Sequence, residues 1–259
     1  MRQEAYFCTV KELDELGKNN IPRQLISHTH LIYSSPATLA FNSPGAEGFG
    51  VKRAGLAVPD SVMLIVSPGC CGRNTSVLSS MRAYQDRFYY LLMDETDIVT
   101  GRHLKKIPKA VAEICEGLKK KPSVVMICIT CVDALLGTDM ERVCHKAEEY
   151  AGVPVRPCYM YALTREGRKP PMVHVRQSVY SLLEPKKKKG NVVNLLGYFS
   201  PLTDDCELYD LLHGAGVKTI HEISRCKDYA QYQTMSEANF NLVPVSYTHL
   251  RAHETGRNL

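Results

Sequence analysis

"VMLIVSPGCCGRNTS", residues 62–76, decides how the chain is read. Val62 to Val66 form an unbroken apolar run, closed by Ser67-Pro68-Gly69. A short apolar run ended by a proline–glycine turn reads as a strand buried on both faces, as in a parallel sheet. The turn places Cys70 and Cys71 at that strand's carboxyl end, where α/β sheets collect ligands. Adjacent thiols there are structural, redox-active or metal-binding, and the strand alone does not choose among these.

The pattern repeats outward from this strand. Further apolar runs fall at 88–93, 123–130, 153–160, 191–198, 217–223 and 240–245, separated by amphipathic stretches. Such alternation is that of parallel strands joined by crossover helices. Leu104, Ile107, Val111, Ile114 and Leu118 recur at helical spacing within 102–120. A second helix is expected over 132–152, with Gly152 as its stop, and a third over 170–185. The stretch "EPKKKKGN", 184–191, has linker composition. We therefore expect an α/β fold of repeated Rossmann-like domains, parallel sheets flanked by helices. Residues 1–60 form an N-terminal helix and covering loop, 61–185 the first domain and 186–190 a basic linker. Residues 191–244 form a second domain, incomplete at that point.

Residues 245–259, "VSYTHLRAHETGRNL", lack any apolar period. The start of this stretch resembles the in-frame translation of a sequencing adapter. We expect native sequence to end near Pro244, with a non-native tail after it.

Composition narrows the function. The 259 residues are 44% hydrophobic, enough for one large core or two modest ones. Net charge is +5, but Lys186–Lys189 contribute one solvated run without interleaved aromatics, which argues against a nucleic-acid partner. No stretch has signal-peptide character or transmembrane length, so a cytoplasmic setting without a membrane partner is expected. In reducing surroundings the ten cysteines, irregularly spaced, point to metal or redox chemistry rather than disulfides. Glycine-rich phosphate loops of the G-x-G-x-x-G or G-x-x-x-x-G-K-[ST] type do not occur.

Cys128 and Cys131 form a C-x-x-C at the end of the 123–130 run. Cys128 lies inside that run and reads as a small buried hydrophobe. Cys131 follows it, before an expected helix whose dipole favours a thiolate and so a metal ligand. Two cysteines from different strand ends do not complete a four-thiolate iron–sulfur site; a subunit related by a two-fold axis would supply the other pair. Zinc on the same thiolates stays open at this stage.

At these residues the chain resembles the nitrogenase component 1 family. The landmarks are "SPGCCG", "MDETDIVTGRHLKKIPKAVAEI", "ITCVDALLGTDMERVCHKAEEYAGVPVRPC" and "VVNLLGYFSPLTDDCELYDLLHGAGV", in order across residues 60–244. The resemblance implies an iron–sulfur cluster at a subunit interface. The family's Pro-x-x-Cys falls on Pro68 and Cys71, and its second ligand on Cys131, with Cys70 as fallback. Dinitrogen-reducing members carry a further upstream cysteine, which "FNSPGAEGFG" (41–50) lacks, so a [4Fe-4S] cluster shared between subunits is expected rather than an eight-iron one. Implied partners are an identical or homologous component 1 subunit and an ATP-hydrolysing nitrogenase reductase-like iron protein, docking near Arg73 and Asp94–Asp97. The leading reading is an electron-transferring oxidoreductase subunit. A metallocluster-assembly scaffold of the same fold is the alternative, and a ligand-binding α/β module with inert cysteines the third.

Overall fold

The computed structural model describes residues 9–17, 19–20, 22, 50–69, 84–130, 132–133, 136–159, 171–196 and 199–243. The elements are α1 (Val10–Leu16), α2 (Val51–Gly55), β1 (Val62–Ser67), β2 (Phe88–Leu92), α3 (Glu95–Thr100), α4 (His103–Gly117), β3 (Val125–Ile129), α5 (Met140–Ala151), β4 (Val155–Tyr159) and α6 (Pro171–Tyr180). They continue with β5 (Lys189–Leu195), α7 (Glu207–Gly214), β6 (Thr219–Glu222), α8 (Tyr229–Gln233) and β7 (Ala238–Leu242). Strands β2-β1-β3-β4 make one parallel sheet and β6-β5-β7 another. The architecture is α/β, with parallel sheets flanked by helices.

The apolar runs form the two central strands because every residue of β1 and β3 is buried. Their alternation splits the core into two layers. Val62, Leu64, Val66, Val125, Ile127 and Ile129 pack with Ile107 and Val111 of α4 and Cys144 and Ala147 of α5. Met63, Ile65, Met126 and Cys128 face the other way, toward Ala54 of α2 and Val175 and Val179 of α6. The second layer closes tightly: a Cβ at Gly55 would stand 2.8 Å from Met63 Cε and 3.3 Å from Cys158 Sγ.

β4 is an edge strand, yet its outward backbone is occupied. Val155 N–H donates to Glu148 Oε1 at 2.9 Å, and Val155 O accepts from Arg156 Nη1 at 2.8 Å. Pro157 has no N–H to offer, and its carbonyl accepts from Ser178 Oγ at 2.8 Å. Filling these positions removes the template that an open edge presents to another chain.

Two expectations need correction. The helix expected over 132–152 is not continuous: residues 132–133 are helical and Leu136 N–H returns to Val132 O, but α5 begins only at Met140. Gly137 at φ 65° ends that turn, and the Asp139 side chain caps α5 by accepting from Arg142 N–H. The basic linker also ends early, since Lys189 and Gly190 open β5. Lys188 Nζ donates to Ser236 O at 2.8 Å and Lys189 pairs with Glu237, which ties the end of the charge run to the segment just before β7.

The two sheets share one apolar cluster. Val175, Val179 and Leu182 of the α6 segment pack with Phe199, Ile223, Tyr232 and Met235 from beyond β5. The Tyr232 hydroxyl donates to Val179 O, and Gln233 Nε2 to Leu182 O at 2.7 Å.

Candidate functional site

The carboxyl ends of β1 and β3 lie side by side, with Val66 in register with Ile129. Beyond them the chain runs into the two cysteine-bearing segments. Cys70, Cys71 and Cys131 themselves lie outside the described residues, as do Arg73, residues 41–49 and the stretch 245–259. Among the described residues no cluster of three or more His, Cys, Asp or Glu could hold a metal.

What is described at this edge is polar and incompletely satisfied. Ser67 Oγ, Thr130 Oγ1 and Asp133 Oδ2 are buried without hydrogen-bond partners. Ser67 and Thr130 directly follow Val66 and Ile129, the last pair in register. Buried hydroxyls without a protein acceptor leave donors for an electron-rich group, and cluster sulfurs accept such bonds. The edge therefore fits an iron–sulfur group better than a featureless apolar surface would.

Cys128, half of the C-x-x-C, is turned away from this edge into the core. It pairs in register with Cys158 across β3 and β4, and both are fully buried. Cys158 Sγ donates to Val51 O at 3.4 Å, and burial with its Cys128 contact pushes its thiol up. Burial likewise raises Cys144 to about 12. Cys158 and Cys144 are neutral packing thiols.

The acidic segment forms α3. Asp94 caps it, accepting from Asp97 N–H at 2.7 Å, and Gly101 ends it at φ 65°, a conformation that favours glycine. Asp94 and Glu95 are exposed. Asp97 instead points inward, 2.6 Å from Lys106 Nζ and 3.3 Å from Arg102 Nε. The hydrogen bond from Lys106 holds its carboxyl below the usual range.

A pair absent from the sequence reading joins this helix to the β3 end. The His103 ring is 1% exposed and bonds at both nitrogens. Nδ1–H donates to Asp97 O at 3.0 Å, and Nε2 lies 3.0 Å from Asp133 Oδ1. Thr138 Oγ1 donates to the same carboxyl oxygen at 3.2 Å. Both ring partners are acceptor atoms, so a hydrogen sits either on Nε2 or on the carboxyl between them. Both residues lie inside stretches quoted above as landmarks, His103 in 93–114 and Asp133 in 129–158, but thirty positions separate them and neither stretch signals the contact.

In parallel α/β sheets of this kind, ligand sites lie at the carboxyl ends of the strands. The model of the nitrogenase component 1 type oxidoreductases matches residues 47–255, and the chain belongs to that family. The matched range passes Pro244 into the stretch read above as foreign. The chain is 28% identical over 176 residues to the nitrogenase iron-molybdenum cofactor biosynthesis protein NifE of Rhizobium meliloti (strain 1021), covering 65% of this chain and 37% of that protein. It is 26% identical over 224 residues to NifE of Klebsiella pneumoniae, covering 78% and 49%. It thus spans less than half the length of these relatives. A solved structure described as nitrogenase Cp1 at pH 6.5 aligns at a TM-score of 0.53 and 21% identity, covering 74% of this chain and 40% of that one. That likeness concerns the fold.

Proposed function

We propose that the chain is part of a component 1-type subunit that holds an iron–sulfur cluster, a [4Fe-4S] one, at a subunit interface through Cys71 and Cys131, with Cys70 the fallback for Cys71. One observation carries this beyond family membership: the segments bearing these cysteines leave neighbouring strands, in register, at an edge with unpartnered buried hydroxyls. Two thiolates per chain require a second subunit, identical or homologous, to complete four-fold ligation. When bound, the cluster supplies one-electron transfer. The chain's own contribution is to hold the ligand segments, exclude water and offer hydrogen-bond donors to sulfur. An ATP-dependent iron protein would meet the exposed Asp94 and Glu95 of α3, and the reducing cytoplasm suits such a site.

Whether the subunit passes electrons to a substrate or builds a metallocluster separates two readings. The cofactor-biosynthesis names of its relatives favour the assembly scaffold over the substrate-reducing oxidoreductase. Anaerobic purification followed by iron and sulfide analysis tests the common part. Wild type should hold iron, and Cys71→Ala with Cys131→Ala should lose it; equal iron in both refutes the ligand assignment. Transfer of a metallocluster from the loaded protein to an apo-nitrogenase would support the scaffold, and ATP-dependent turnover with an iron protein the oxidoreductase.

A further inference from the structure

We propose that His103 is a positioning residue for the cluster-bearing segment, its ring holding Asp133, and the chain that leaves β3, against α3. The proposal rests on the reading of Cys131 as a ligand and names the residue that fixes the segment following it. His103 is the first residue of α4, directly after the Gly101-Arg102 turn that ends α3. From there its ring reaches the Asp97 carbonyl on one edge and the Asp133 carboxyl on the other, at 3.0 Å each. Both anchors are fixed in turn. Asp97 is held by Lys106, Arg102 and Asp94, and Asp133 accepts from Thr138 at its side chain and at its carbonyl, the latter at 3.1 Å.

The described residues offer this tie no substitute. Asp133 is fully buried, its second oxygen is unpartnered, and among the described residues only His103 and Thr138 bond its carboxyl. Deleting the ring would leave the buried Asp133 side chain short of a hydrogen-bond partner, and the segment would move to find one. Residues that orient a ligand-bearing segment typically govern metal retention by roughly 10- to 100-fold. A rigid ring with nitrogens on opposite edges suits the task; a flexible side chain would hold either anchor but not their separation.

The test uses the full chain, reconstituted anaerobically with ferrous iron and sulfide. Three quantities are read: the electron paramagnetic resonance spectrum after dithionite reduction, the rate of iron release to a chelator, and the melting temperature. His103→Ala should alter the spectrum and release iron roughly 10- to 100-fold faster. His103→Gln, which keeps the volume and one donor, takes its place if the alanine variant does not fold. Asp133→Asn, which keeps the side chain's shape and can donate to Nε2 of a neutral ring while Nδ1–H still bonds Asp97 but gives up the acceptor for Thr138, should alter both less than His103→Ala does. Glu222→Gln, at a buried hydrogen-bond centre in the second sheet, should lower the melting temperature without touching the spectrum. A wild-type spectrum and release rate in the His103 variant overturn the proposal while leaving the cluster reading intact. Equal damage from Asp133→Asn overturns it in favour of charge. A wild type that takes up no cluster overturns both.

Discussion

Asp97 is an acid turned into the protein rather than a docking charge, and its energetics follow from that. The Lys106 hydrogen bond depresses its folded-state value below the unfolded one. The stability it contributes is therefore present above the ordinary carboxyl range and lost as pH falls through the depressed value. Asp97→Asn should be less stable than wild type at about pH 7, with the gap closing toward about pH 3. Urea unfolding at both pH values measures this, and a gap independent of pH would contradict it. The thiols give a second residue-scale expectation. Cys144, raised to about 12, and Cys158, raised by burial, carry almost no thiolate at about pH 8. Peptide mass spectrometry after brief alkylation of the native protein should find both unmodified, and both should react once urea is added. Native labelling of either would remove it from the core.

At the scale of elements, the closed edge of β4 makes a claim about association. Glu148→Ala frees Val155 N–H and deprives Arg156 of its carboxylate partner. We expect a loss of about 1–3 kcal/mol, together with self-association through the reopened edge. Thermal melts and light scattering check the two halves, and reduced stability with an assembly size equal to that of wild type would sink the edge argument alone. How far the elements could be read beforehand follows the same physics. β1 and β3 were plain because strands buried on both faces become continuous apolar runs. Apolar spacing extends a helix over 132–152 because the period carries through Gly137 and Asp139 and does not register their backbone roles as breaker and cap. The lysine run is exposed, as its charge implies, but composition does not show that its last member opens β5, with Lys188 and Lys189 finding acceptors in Ser236 and Glu237. Cysteines at strand ends were legible as candidates. The His103–Asp133 pair was not, since thirty positions separate its members and only the register of β1, β2 and β3 brings them together.

At the scale of the whole molecule, the composition of residues 184–191 suggests two units that fold apart, whereas the shared cluster around α6 couples them. Tyr232 is the test of which dominates. Its ring is fully buried in a cluster that contains Val175 and Val179 of α6 and, farther on, Met126 and Cys128 of β3. Its hydroxyl donates to Val179 O on α6. Tyr232→Phe removes only that bond and should cost about 1 kcal/mol. Tyr232→Ala leaves a cavity between the sheets and should cost about 3–5 kcal/mol. The decisive readout is where the loss is felt. Because Met126 and Cys128 of β3 belong to this one cluster and Leu196, the residue just past β5, packs against it, amide hydrogen exchange should accelerate in both strands of the alanine variant, by a similar factor. Acceleration confined to β5, β6 and β7 would mean that the linker isolates the first sheet after all, and that its cysteine edge is stable without the second unit.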